Sequence, residues 1–491
     1  MIRNARLSLL FILYAVWVPY GFSTQNERIG DDRALIQRRL DPVRVPDVMQ
    51  LWEEDYWGVL DASGLYRPIS LTVLYTERVL FGLNTFPYHV VNLFIYSACG
   101  CLCFLFLNQL VSRTVALAAA LLFVLHPAHV EVAITAYGQV EMLAAGFVLL
   151  ALCAHVRAVR TDFPPWTALA AMAYFAAMLS KEIAISFPVL AMLTRGLWLS
   201  PDVKGWRRWF GLPEAVYGVI VCVYAAIRLA ILGGIGTPDP AATMSGFSFL
   251  HRAYIICTHG LGNYFRLTLF PKSQSLVYDT FLDFKTDVAW VVAGILVLFL
   301  SWRFLSARAT AFAAGWFLAT WFIFSNMVVP TGVFVAERCL FLPILGVCLL
   351  FGFLAEKHRA IAAVVLVLAA ARSGTTAYQW RTEESSLRAS LREHPDSYLA
   401  KSALALTLLI NQTPSIQAQQ EAESLLQSVV AQAPDLPEAQ RGLGLLAKAR
   451  GDYGGAINHL RRGLELRPRD IMIRDDLDRC ERLAKGLPEQ L

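Results

Sequence analysis

Apolar runs long enough to cross a bilayer recur from the N-terminus to about residue 375, separated by short connectors, and this pattern limits the fold more than any other feature. A span needs about 20 apolar residues, and its backbone polar groups must bond within the segment, so such runs fold as helices packed into a bundle. The windows fall at 7–22, 88–107, 115–125, 140–156, 166–179, 183–199, 214–232, 287–304, 309–328, 339–354 and 360–372. Eleven spans are expected, the shorter windows borrowing flanking residues. Of 491 residues, 56% are hydrophobic and 16% charged, against about 25% charged in soluble domains, which excludes an ordinary soluble protein. Arg3 and Arg6 precede the first window and no small-residue cleavage site follows it, so it reads as a retained span.

Lys and Arg cluster in alternate connectors: Arg113; Arg157 and Arg160; Lys204, Arg207 and Arg208; Arg303 and Arg308; Lys357 and Arg359. Placing these inside puts the N-terminus in the cytoplasm and the C-terminal tail outside. The formal charge of +5 is spread over connectors and does not suggest nucleic-acid binding. Residues 251–270 are apolar but carry His251, Arg252, His259, Asn263 and Arg266, which reads as an interfacial or re-entrant helix on the outer side. The nine cysteines lack metal-like pairing and read as small core hydrophobes.

The tail, 376–491, has no membrane-length run. Pro434 and Pro468 stand 34 residues apart, and the unit between them carries Leu443-Gly444, Gly451-Asp452-Tyr453, Ala456 and Leu464. That is the tetratricopeptide pattern, with small residues where paired helices touch and proline closing each unit. About two and a half repeats are expected, counting a half-unit at 380–393, with an insertion near 411–416. They serve either as a stabilising cap or as a peptide-binding surface.

The expected outer connectors hold the residues suited to chemistry. The first, 23–86, contains Asp31-Asp32, an acidic stretch at 47–57 with the spacing of a short amphipathic helix, and Tyr66-Arg67-Pro68. Adjacent carboxylates raise each other's proton affinity, as a general base requires, although such a pair is commonly a solvated cap. His126, His129 and Glu131, with Gln139 and Glu141 beyond, read as metal ligands or as ordinary helix caps. Lys181-Glu182 reads as a local ion pair or as a phosphate-binding lysine. Arg67 and Arg338, the latter beside Glu337, match a phosphate bidentately but also suit simple snorkelling.

Taken in order, seven stretches resemble the transmembrane and tetratricopeptide-repeat family of the GT-C glycosyltransferases, related to protein O-mannosyltransferases. They are Gly30-Asp31-Asp32-Arg33-Ala34-Leu35-Ile36, Asp55-Tyr56-Trp57-Gly58, Tyr66-Arg67-Pro68-Ile69-Ser70, Gly82-Leu83-Asn84 with Tyr88-His89-Val90-Val91-Asn92, His126 to Glu131, Ser180-Lys181-Glu182, and Ala336 to Pro343. Gly138-Gln139-Val140-Glu141 departs from the family's frequent Gly-Arg-Ala-Glu, and the short tail looks bacterial. The resemblance implies an all-α protein: a GT-C-like polytopic bundle over 1–375 and a tetratricopeptide solenoid over 376–491. It implies inverting transfer of mannose or another hexose from a polyprenyl-phosphate donor to an acceptor hydroxyl, protein Ser/Thr foremost, on the non-cytoplasmic face. The setting would be a bacterial inner membrane with a periplasmic tail, or the ER membrane with a lumenal one.

On that reading Asp31 is the base and Asp32 its aid; Arg338, Lys181 and Arg67 hold the donor phosphate; His126, His129, Glu131, Glu141, Glu182 and Glu337 orient sugar or acceptor. Cationic side chains suffice for a monophosphate, so the scheme calls for no metal and no cofactor. Partners would be the lipid donor and an acceptor protein docked by the tail. The alternatives are a non-catalytic tetratricopeptide adaptor for envelope glycan assembly, which leaves the outer charges idle, and a transporter, which would show repeated halves.

Overall fold

The computed structural model describes residues 2–43, 45, 47–58, 64–234, 246–279, 284–328, 333–410, 414–468 and 470–487. Among these residues every regular element is helical. The chain divides into two compact units: Met1–Tyr56, Ser63–Lys272 and Leu282–Tyr378 form the larger, and Trp57–Ala62, Ser273–Phe281 and Gln379–Leu491 the smaller.

The larger unit contains α1 (Ile2–Tyr20), α2 (Pro68–Phe81), α3 (Thr85–Leu107), α4 (Arg113–Leu125), α5 (Val130–Ile134), α6 (Gln139–Thr161), α7 (Pro164–Met178) and α8 (Phe187–Thr194). It continues through α9 (Leu212–Leu232), α10 (Phe249–Ile255), α11 (Leu261–Leu269), α12 (Phe284–Phe304), α13 (Ala307–Phe322), α14 (Ile344–Lys357) and α15 (Arg359–Gln379). Each of the eleven expected windows falls on a helix. Among the described residues seven helical stretches are long and apolar enough to span alone, and α4, bent by 55° onto Pro127–Ile134, makes an eighth if the bent pair is one span. Helices α7, α13 and α14, at 15, 16 and 14 residues, fall short of the length of a full crossing, so they reach eleven spans only where the bilayer or flanking turns make up the difference. The protein is an integral membrane protein.

Caps and small residues explain the local order. Ser112 and Ser306 accept from the third amide of α4 and α13, and prolines at 164–165 open α7, where their missing N–H matters least. Helix α14 approaches its neighbours through glycine: a Cβ on Gly346 would lie 2.7 Å from Ala313 O, and one on Gly352 2.4 Å from Val115 O. Helices α3 and α6 are the most enclosed spans, 56% and 61% buried, whereas α9 and α12 are 11% and 17% buried and present apolar surface to lipid.

The basic connectors gather at one end of this bundle. Arg160 donates to Gln109 O, Ser112 to Glu356 and Lys357 to Phe304 O, each at 2.5 Å, and Arg113 reaches Ser8 Oγ at 2.9 Å. Residues 249–269 form one helical stretch, α10 and α11 joined by a π-turn at Ile256–Gly260, which is not among the spanning helices. The stretch at 47–57 departs from expectation. Only a 3-10 turn forms, Val48–Trp52. Arg39 bonds the carbonyls of Asp55 and Tyr56 and pairs with Glu54, while Tyr56 N bonds Leu65 O, holding the chain out of a helical path.

In the smaller unit, α16 (Glu383–Glu393) precedes α17 (Tyr398–Leu409), α18 (Ile416–Gln432), α19 (Pro437–Ala449), α20 (Tyr453–Leu466) and α21 (Ile471–Ala484). A Cβ on Gly442 would strike Leu426, and one on Gly444 would strike Leu460, so small residues set the helix contacts. Ala405, Leu409, Ala422, Leu426, Leu445 and Leu446 form one core; Ala456, Leu460, Ile473, Leu477 and Cys480 form the next. The connector around 273–279 belongs here: Leu276 N donates to Ser390 and Leu399 N to Asp279. Of the insertion expected near 411–416, residues 411–413 lie outside the described residues, and Ser415 caps α18.

Candidate active site

At the end of the larger unit away from the basic connectors, six chain segments bring their charged residues together. After α1, Gly30 turns the chain with φ +58°, where an added Cβ would sit 3.2 Å from the Tyr137 ring. The two aspartates that follow have different fates. Asp31 is exposed; Asp32 is buried, and its two oxygens accept from the amides of Ala136 at 3.0 Å and Tyr137 at 2.7 Å. Burial pushes the Asp32 carboxyl up to about 7, the two amides oppose this, and Asp31 adds to it.

Tyr137 and Glu131 then connect the aspartates to a cation. Tyr137 donates its hydroxyl to Glu131 at 2.8 Å, and Glu131 receives Arg338 twice, from Nη1 at 2.6 Å and from the backbone amide at 3.0 Å. The guanidinium lies 5.5 Å over the Tyr137 ring. Burial works against the Arg338 charge, but Glu131, with Tyr137 and Asp31 further out, holds its proton affinity well above the usual value. Asp31 and Arg338 are therefore within electrostatic reach of each other.

Lys181 and Glu182 do not pair together, because Lys181 is extended (φ −162°, ψ 148°) and neighbours on extended backbone point apart. Lys181 pairs with Glu141, while Glu182 receives Arg67 at 2.8 and 3.0 Å and lies 3.7 Å from Arg228. Tyr56, 5.0 Å from the Arg67 guanidinium, also feels Asp31, Asp32 and Arg338, and Lys181 and Glu141 both act on Cys339 beside Arg338. The clusters thus share one electrostatic neighbourhood. Helix α2 is tied to it, since Ile69 N bonds Leu179 O and Ser70 bonds Ser180 O.

His126, His129 and Glu337 sit deeper. His126 bonds Thr268 O through Nε2 and accepts from Ala128 N through Nδ1. His129 bonds Phe123 O and packs against Phe123 and Phe341, and Glu337 is fully buried. Among the described residues no group of three His, Cys, Asp or Glu side chains is arranged to hold a metal ion. Two contributors escaped the sequence reading. Tyr137 carries no signal outside its tertiary contacts. Arg228, in the last turns of an apolar helix, did carry one, because an arginine there is costly unless paired.

No protein-family model matches the chain. It is 23% identical to protein O-mannosyl-transferase Tmtc3 of Drosophila melanogaster over 77% of this chain and 50% of that one. It is 24% identical to protein O-mannosyl-transferase TMTC4 of Homo sapiens over 77% and 60%, and 30% identical to Tmtc1 of Drosophila melanogaster over 39% and 22%. The chain spans about half the length of the curated relatives it matches. Among solved structures, ArnT from Cupriavidus metallidurans bound to undecaprenyl phosphate aligns over 99% of this chain and 81% of its own, at 14% identity and a TM-score of 0.44. By sequence, the homologues of this chain are the TMTC protein O-mannosyl-transferases.

Proposed function

We propose that this protein is a GT-C-type membrane glycosyltransferase that moves a hexose, mannose first among candidates, from a polyprenyl-phosphate donor to an acceptor hydroxyl. The observation that carries the reading is that an exposed carboxylate, Asp31, lies within electrostatic reach of Arg338, a cation held in place by Glu131. The relatives' names supply the sugar and the protein acceptor.

In the transfer, Asp31 takes the acceptor hydroxyl proton as the acceptor oxygen bonds the sugar's anomeric carbon. The bond from that carbon to the phosphate oxygen breaks on the opposite face, inverting the centre. The leaving lipid phosphate keeps the electron pair and needs fixed positive charge rather than a proton. Arg338 and Lys181, with Arg67 behind them, supply that charge. Their carboxylate partners Glu131, Glu141 and Glu182 hold them in place, and Asp32 fixes the turn that carries Tyr137. No divalent metal is called for, so turnover should survive EDTA. The site faces the non-cytoplasmic side, with basic connectors inside and the tail outside, in a bacterial inner membrane. The tail, read as tetratricopeptide repeats, docks the acceptor.

The test incubates the purified chain with radiolabelled polyprenyl-phosphate mannose or glucose and an acceptor peptide. Label should reach the peptide with one donor, and Asp31→Asn should abolish transfer while the protein still binds donor. A non-catalytic adaptor would be indifferent to that change. Deleting 380–491 should remove peptide labelling yet leave slow donor hydrolysis.

A further inference from the structure

At the far end of the bundle, the connector 200–211 has structure that topology alone does not require. It joins the helical stretch Glu182–Leu199 to α9, whose opposite ends carry the Glu182–Arg228 pair, so it lies a full helix length, about 27 Å, from the charged cluster. The cation–ring contact of Arg308 with Trp198, 5.6 Å, puts it among the basic connectors.

Its floor is rigid. Trp209 lies so close to Gly196 that an added Cβ would be 2.1 Å from the ring. Arg208 donates to Gly196 O at 2.7 Å and lies 5.2 Å from the Trp209 ring. Gly205, with φ +71°, turns the chain so that Lys204 and Trp206 flank this floor. Together with the exposed carboxylate Asp202 they line an open cleft of about 760 Å³, and a second of about 430 Å³ lies beyond Trp206 against Arg207 and Phe210. Lys204 and Arg207 are exposed and have no acidic partner among the described residues; the Arg207 guanidinium lies 5.8 Å from the Trp206 ring. Trp206 is 67% and Leu212 77% exposed, so the cations stand beside apolar surface.

We propose that this connector binds the phosphate headgroup of an anionic phospholipid in the leaflet opposite the candidate active site. Lys204 and Arg207 meet the phosphate, and Trp206, Phe210 and Leu212 meet the glycerol and upper acyl chains. A basic connector that merely orients the chain needs no packed floor beneath its cations. A soluble anion would leave the apolar flank unused.

Native mass spectrometry of the full chain, with phosphatidylglycerol or phosphatidylcholine added to neutral micelles, tests this. An exposed ion pair contributes up to about fivefold, so K204A/R207A should lower retained phosphatidylglycerol by up to about thirtyfold and zwitterionic phosphatidylcholine much less. W206A should weaken retention of both lipids. Neither variant touches the Gly196–Arg208–Trp209 floor, so melting should be unaltered; should it fall, K204R/R207K must restore phosphatidylglycerol. Wild-type retention by the double alanine variant, or displacement of the lipid by millimolar inorganic phosphate, overturns the proposal.

Discussion

Glu131 binds Arg338 through both the guanidinium, at 2.6 Å, and the backbone amide, at 3.0 Å, so the cation and the turn that carries it are fixed by one carboxylate. A preorganised cation of this kind stabilises charge that develops on a leaving phosphate without reorganising at the moment of reaction. Arg338→Ala should therefore lower kcat by about 10²–10³-fold. Arg338→Lys, which keeps the charge but loses the planar fork, should recover only part of it. Steady-state transfer from a polyprenyl-phosphate hexose measures both, and a wild-type rate in the alanine variant removes Arg338 from the chemistry.

The two aspartates should separate cleanly. Asp31→Asn loses the base and should cost about 10²–10⁴-fold in rate with an unchanged melting temperature. Asp32→Asn places an amide donor against one of two backbone N–H groups, which should destabilise the fold by about 1–3 kcal/mol. Equal loss of stability in both variants would contradict the division of roles drawn from their burial.

Tyr137 offers a finer test. Phenylalanine keeps the ring beneath Arg338 and removes only the hydroxyl bond to Glu131, a change worth about 1 kcal/mol, or roughly fivefold in kcat. Leucine removes the ring as well and should do more. Gly30→Ala should mimic the leucine variant from a distance, because a Cβ at positive φ would press on that ring. If Phe and Leu variants behave alike, the ring contact with Arg338 contributes nothing.

Much of this architecture could be read from the residues. Apolar windows locate helices because a bilayer admits few other backbones, and Gly444 marks a helix contact because only a small side chain fits against Leu460 there. The ionic partners were not legible. Lys181 and Glu182 are neighbours in sequence, yet each is claimed by a residue on a different helix or loop, Glu141 and Arg67. Pairing of that kind depends on how six segments meet, which no local spacing encodes. The 47–57 stretch failed for a related reason: its helical spacing is real, but Arg39 and the Tyr56–Leu65 bond outweigh a weak local preference.

The last prediction concerns pH. Burial holds the Asp32 carboxyl up at about 7, and burial together with Asp32 holds Glu77, which takes Gln139 Nε2 at 3.0 Å, up at about 8. Both folded values exceed the unfolded ones, about 3.9 and 4.3, so between those limits the native state carries more protons than the unfolded chain. Stability is then greatest at the acid end and falls as pH rises, through Asp32 up to about 7 and through Glu77 up to about 8. Melting of the detergent-purified chain should show this decline from pH 5 to 8. Asp32→Asn should reduce the slope below about pH 7, while Glu77→Gln should reduce it throughout and remove what remains between about 7 and 8, because neither replacement titrates. A midpoint that rises with pH in the parent, or an unchanged slope in both variants, would show that the two amides on Asp32 outweigh its burial and that the carboxylate is ionised throughout.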